Sequence, residues 1–131
     1  MMAAQVTFLT TSFGQFAFRF VPKVVRAMIP SEVIGTYFLI SNGTPVYIGR
    51  SDHCLQSRLS KHPLLGYASH FVWEPCRSSL HAFYLEAFWF HQLQDSSDLL
   101  NTIHPARPLG FDYPCPFCNT KDIDALQFAL Y

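Results

Sequence analysis

An α+β domain is expected from this chain: a small, mostly antiparallel three-stranded sheet flanked by helices, with an extra hairpin at the N-terminus. Three observations predict it. The β-rich runs Thr36–Ile40 and Pro45–Ile48 are joined by Ser41-Asn42-Gly43-Thr44. Asn-Gly between apolar runs is a strong hairpin signal, because both residues accept positive φ. The stretch from about Ser79 to Gln94 is almost wholly apolar or aromatic and reads as the longest helix, with Ser78 or Ser79 as its N-cap. The order strand, strand, helix, strand, helix then sets helices beside one sheet.

Each element has a local reason. Val6 to Phe20 alternates loosely, with Phe16, Phe18 and Phe20 on one side and a turn signal near Ser12-Phe13-Gly14. A hairpin or two short strands is predicted there. Pro22 stands where a helix accepts proline, and Val24, Val25 and Met28 make a short amphipathic turn that stops before Pro30. A helix should run from about Leu55 to His62 and end at Pro63, followed by a strand over Ser69–Trp73 and a last short helix over Ile123–Leu130. No repeat, low-complexity tract or linker interrupts the chain, so residues 1–131 are read as one domain. Residues 1–33 are its N-terminal hairpin and short helix, 34–105 its core, and 106–131 an extension around Cys115-Pro116-Phe117-Cys118.

Composition narrows the classes. Half the residues are hydrophobic, 16% aromatic and 14% charged, which is a folded globule and not a disordered chain. The 13 Phe exceed what a small core hides easily, so some are expected to face a partner, most simply a second copy of the chain. Net charge is zero, but residues 1–80 carry seven cations against three acids and residues 81–131 two against six, a balance of +4 and −4. A basic region of that kind can hold a phosphate backbone on one face; ordinary surface charge accounts for it equally well. No run reaches the roughly 18 apolar residues of a membrane span, and the pattern of a signal peptide is missing, so a cytoplasmic protein with no membrane partner is expected.

The residues that could carry chemistry come in one order. Tyr37 follows Gly35-Thr36 on the first core strand; Tyr47 precedes Ile48-Gly49 on the second. Hairpin pairing can turn both hydroxyls toward one cleft. Arg58 and His62 stand four apart and share a face if the helix runs through them. Glu86 lies among His81-Ala82-Phe83-Tyr84-Leu85 and Ala87-Phe88-Trp89-Phe90, and a carboxylate in such a helix is buried only when paired or coordinating. Taken singly, each has a bland reading: tyrosines are common in strands, and Arg58 and His62 could be a solvated helix face with Lys61. Asp52 reads as a cap for the following helix.

Together these residues resemble the GIY-YIG nuclease family, over roughly Gly35 to Asn101, about half of the chain. The resemblance implies a divalent-metal-dependent endonuclease that hydrolyses phosphodiester bonds in nucleic acid, most directly DNA. Arg58 would clamp phosphate and His62 would give a proton to the leaving oxygen or hold a phosphate. Glu86 would be the protein ligand to Mg²⁺ or Mn²⁺, and a tyrosine the base. Tyr37 is the preferred candidate for base, with Arg58 and the cation expected to favour its phenolate. Gly49 leaves room beside the tyrosine and, with Arg50, Lys61 and Asn101, belongs to the substrate side; Asn101 matches a hydrogen-bonding prop. The competing reading is an inactive nucleic-acid- or protein-binding module with the same fold. A homodimer joined through Val6–Phe20 would set two such sites along one duplex.

Cys115 and Cys118 have the spacing of half a zinc site, for which Cys76, His104 or a partner chain would have to supply the rest. Two semi-buried thiols or a tight turn is the alternative. A thioredoxin-like role is disfavoured, because the pair lies in a proline-rich loop instead of opening a helix.

Overall fold

The computed structural model of the chain describes residues 8–10, 16–96 and 98–118. The elements are β1 (Phe8–Thr10), β2 (Phe16–Arg19), α1 (Pro22–Met28), β3 (Gly35–Ser41), β4 (Thr44–Ser51), α2 (Leu55–Ser60), β5 (His70–Pro75) and α3 (Ser79–Leu93). Every strand pairing is antiparallel, in the order β1-β2-β5-β3-β4. The α+β class holds, but the sheet is larger than the three strands expected. β2, β5, β3 and β4 form a four-stranded sheet, and β1 adds a short strand at its rim.

The difference comes from the N-terminal hairpin, which is part of the sheet and not an appendage. β2 pairs with β5 at Phe18 and Phe71, and Phe20 is buried with Val25, Ile29 and Phe71. Phe16 is exposed because the β2–β5 ladder begins only at Phe18. The segment expected to join two copies therefore spends Ala17, Phe18 and Phe20 on the core of its own chain. The predicted turn over residues 12–14 and the helix over Ile123–Leu130 lie outside the described residues.

The hairpin β3–β4 turns at Asn42 and Gly43, both at positive φ (54° and 78°), as the Asn-Gly pair requires. β3 is central and buried along nearly its whole length, because helices cover both faces. On one face Tyr37 and Leu39 pack with Val25 of α1 and with Leu55 and Leu59 of α2. On the other, Phe38, Ile40 and Ile48 pack with Phe90 of α3. Ser78 caps α3, its hydroxyl accepting from the His81 N–H at 3.1 Å.

A helix apolar on all sides must be covered on all sides. The sheet covers one side of α3; Phe117 covers another, packing on Phe88 and Ala87. Seven of the ten phenylalanines whose side chains are described are buried, six of them in these three clusters, so the aromatic excess is absorbed largely within the chain. No helix among the described residues is long and apolar enough to cross a membrane.

Candidate functional site

The site forms around the edge strand β4, where the two faces of the sheet meet. Alternation along a strand sends neighbouring side chains to opposite faces. Tyr47 and Gly49 therefore share the α2 face with Tyr37, while Arg50 turns to the α3 face. Register places Tyr37 opposite Gly49 and Leu39 opposite Tyr47. A methyl group on Gly49 would collide with the Tyr37 hydroxyl, so the bare backbone at Gly49 is what lets the Tyr37 ring lie across β4. The two tyrosine rings stack at 6.2 Å between centroids.

His62 stands elsewhere than its spacing predicts. α2 stops at Ser60, and Lys61 leaves helical geometry at φ −122°, ψ 18°. His62 thus does not share a helix face with Arg58; it turns inward and is buried. Its Nδ1 accepts the Leu64 N–H at 3.1 Å, so the neutral ring carries its proton on Nε2, which donates to the Tyr37 oxygen at 3.0 Å. Burial, helped by the Arg58 charge, pushes His62 down to about 4. Tyr37 is pushed above the ordinary tyrosine range by burial and by Tyr47, with Arg58 opposing. Desolvation outweighs the arginine, so Tyr37 is held protonated and not as the phenolate expected.

Glu86 is buried, as its helix predicts, and its partner is Arg50. The guanidinium Nη1 donates to Glu86 Oε1 at 2.6 Å, while Nε donates to Asp52 Oδ1 at 2.8 Å. The Phe83 ring lies 5.4 Å below the same guanidinium. Burial raises the Glu86 carboxyl above its usual range, and Arg50 opposes the shift. Asp52 is accordingly not the cap of α2; Ser51 Oγ accepts from the His53 and Cys54 N–H groups instead. Glu86 Oε2 has no hydrogen-bond partner among the described residues.

A cleft of about 380 Å³ collects Tyr47, Gly49, Arg50, Asp52, Arg58 and Glu86. It continues past Ser51, His53 and Arg58 into a shallower depression that reaches Lys61 and Pro63. Both ion pairs among the described residues belong to Arg50; Arg58 is exposed and makes none. Comparison with protein-family models, curated proteins and solved structures returned no match. The functional reading therefore rests on residues and geometry.

Asn101 sits beside the cleft without opening into it. Its Oδ1 accepts the Ile48 N–H at 2.9 Å and its Nδ2 donates to the Ile48 carbonyl at 2.8 Å. Leu100 adds an N–H donated to the Val46 carbonyl at 2.7 Å. Together Leu100 and Asn101 cap the free edge of β4 just before Gly49, so the Asn101 amide acts as a prop for the backbone of the edge strand.

The cysteine pair is completed within the chain. Ligand atoms of His91, His104, Cys115 and Cys118 all lie within 4.8 Å of one another, a group that can hold a metal ion such as zinc. Of the contributors expected, His104 is present. Cys76, at the end of β5, is outside the group. His91, on the last turn of α3, was not recognised from sequence, since a lone histidine after Phe90 carries no ligand spacing of its own.

Proposed function

We propose that the protein is a divalent-metal-dependent endonuclease of the GIY-YIG type that hydrolyses phosphodiester bonds in DNA. The observation that carries this reading is the second oxygen of the largely buried Glu86 carboxylate: Oε2 has no hydrogen-bond partner among the described residues, and Glu86 lines a cleft that also holds Arg58 and Tyr47. One carboxylate with room for several waters suits a small hard cation such as Mg²⁺ or Mn²⁺. Bound there, the ion would act as a Lewis acid on the phosphate oxygens.

The chain's own residues supply the rest. Arg58, exposed and without an ion pair among the described residues, forks onto the phosphate, and Lys61 extends the cationic track along the nucleic-acid strand. Tyr47 lines the cleft, whereas Tyr37 is 2% exposed with its oxygen engaged by His62. The base is therefore assigned to Tyr47, which takes the proton of water in its ionised form as the water oxygen attacks phosphorus. The P–O bond opposite breaks, and the departing oxygen collects a proton from solvent. His62 does not serve as that acid, because its Nε2 proton is spent on Tyr37.

Cleavage of supercoiled plasmid in Mg²⁺ or Mn²⁺ tests the assignment, with Glu86→Gln and Arg58→Ala as variants checked by circular dichroism. Both should lose cleavage while folded; near-native turnover in either overturns it. The Arg50–Glu86 pair favours a second reading, a non-catalytic nucleic-acid-binding module, since an arginine already satisfies one oxygen of the carboxylate. Wild-type protein that binds duplex DNA through Arg58 but cuts none in any divalent metal would establish that alternative.

A further inference from the structure

The segment from Pro105 to Cys118 crosses α3 without forming a helix or strand. Its only backbone hydrogen bond among those between described loop residues is the short turn from Phe111 N–H to the Pro108 carbonyl. Yet Phe117 is buried against Phe88. An irregular segment ordered over α3 by one aromatic residue needs a further anchor, and the four converging side chains stand where that anchor belongs.

Four of their six separations match a particular polyhedron, and all six are within 4.8 Å. Zinc with Zn–N of about 2.0 Å and Zn–S of about 2.3 Å in a tetrahedron requires about 3.3 Å between two nitrogens and about 3.5 Å between nitrogen and sulfur. His91 Nε2 and His104 Nε2 are 3.2 Å apart. Cys115 Sγ and Cys118 Sγ each lie 3.6 Å from His91 Nε2, and Cys118 Sγ lies 3.3 Å from His104 Nε2. The surrounding bonds suit the same purpose. His104 Nδ1 donates to the Pro105 carbonyl at 2.8 Å, which leaves the Nε2 lone pair pointing into the group. The Phe117 N–H points at Cys115 Sγ at 3.4 Å, a backbone donor of the kind that supports a metal-bound sulfur. Two thiolates and two neutral imidazoles make a neutral centre with Zn²⁺, which suits a place beside Phe88, Phe90 and Phe117.

We propose that His91, His104, Cys115 and Cys118 form a tetrahedral zinc site that clips the C-terminal segment onto the end of α3. The clip is structural: all four positions are filled by protein, so none is left for substrate. It lies on the segment that begins with Leu100 and Asn101, the residues that cap β4 at Val46 and Ile48. Zinc therefore also steadies the edge strand that carries Tyr47 and Gly49.

The test uses the full chain, purified under reducing conditions, and does not depend on cleavage. About one zinc per chain should survive dialysis, and Co²⁺ exchanged into the site should show the visible absorption of tetrahedral cobalt with thiolate charge transfer. Cys118→Ser, at the exposed ligand, and His91→Ala should lose both signals. Chelation should speed proteolysis within residues 100–118 and hydrogen exchange at the Ile48 amide. Folded wild-type protein without zinc and without the cobalt spectrum overturns the site, as does a Cys115–Cys118 disulfide found in the reduced preparation. Should a variant fail to fold, the cobalt spectrum of the wild type decides alone. Zinc binding with unchanged proteolysis after chelation overturns the clip.

Discussion

Arg50 on the edge strand and Glu86 on α3 meet at 2.6 Å between Nη1 and Oε1, joining the sheet to its longest helix across the floor of the cleft. Removing one partner of a buried pair strands the other charge at a cost of about 3–5 kcal/mol. Arg50→Ala should therefore lose about 3 kcal/mol of stability by urea unfolding. In a Glu86→Gln background the same change should cost less, because only the more exposed Asp52 carboxylate is then left without its arginine. Equal losses in both backgrounds would show that Arg50 acts through Asp52 and Phe83 and not through Glu86.

Gly49→Ala should destabilise by about 1–3 kcal/mol, the usual cost of forcing an extra carbon into a filled space. Adding Tyr37→Phe should recover only part of it. The added methyl meets the ring carbons of Tyr37 at 2.6 and 2.9 Å as well as its oxygen. Thermal melts of the two variants check both statements.

His62 gives stability a definite pH dependence. It is neutral in the fold and pushed down to about 4, whereas the unfolded chain titrates it near its ordinary value of about 6.5. Between those values the unfolded state binds more protons, so stability is full above about 6.5 and falls as pH drops toward about 4. The loss attached to this residue is at most about 3 kcal/mol. His62→Gln should flatten that part of the stability–pH curve; an unchanged curve would mean that other groups cause it.

The tyrosines should separate kinetically. Tyr47→Phe is expected to lose about 10²–10⁴-fold in cleavage rate, the range for loss of general-base help. Tyr37→Phe should lose less and should alter the titration of His62, its hydrogen-bond partner. A larger loss at Tyr37 in single-turnover assays would return the base to that residue.

Asn101→Ala should cost about 1–2 kcal/mol, since it leaves the Ile48 N–H and carbonyl without their two side-chain partners. Asn101→Asp should be no rescue, because a carboxylate cannot donate to the carbonyl. Faster hydrogen exchange at the Ile48 amide is the readout that distinguishes loss of this prop from a general loosening.

Short-range chemistry made most elements legible. The Asn42-Gly43 turn, Pro22 at the start of α1, Ser78 capping α3 and the apolar length of α3 each act within a few residues, so their signals survive in the chain read alone. The burial of Glu86 was legible for the same reason: its helix has hardly any polar positions to offer an exposed edge. What the sequence by itself did not determine depends on residues brought together from far along it. Arg50 reaches Glu86 from 36 positions away, and His91 reaches Cys115 from 24, and neither residue type announces its partner. His62 leaves the helix face because Lys61 ends the helix and the Tyr37 oxygen accepts its proton. The N-terminal hairpin joins the sheet because β5 has an open edge for β2. Those outcomes were decided only in the tertiary structure, where a polar group taken from water must find its partner wherever the fold has placed one.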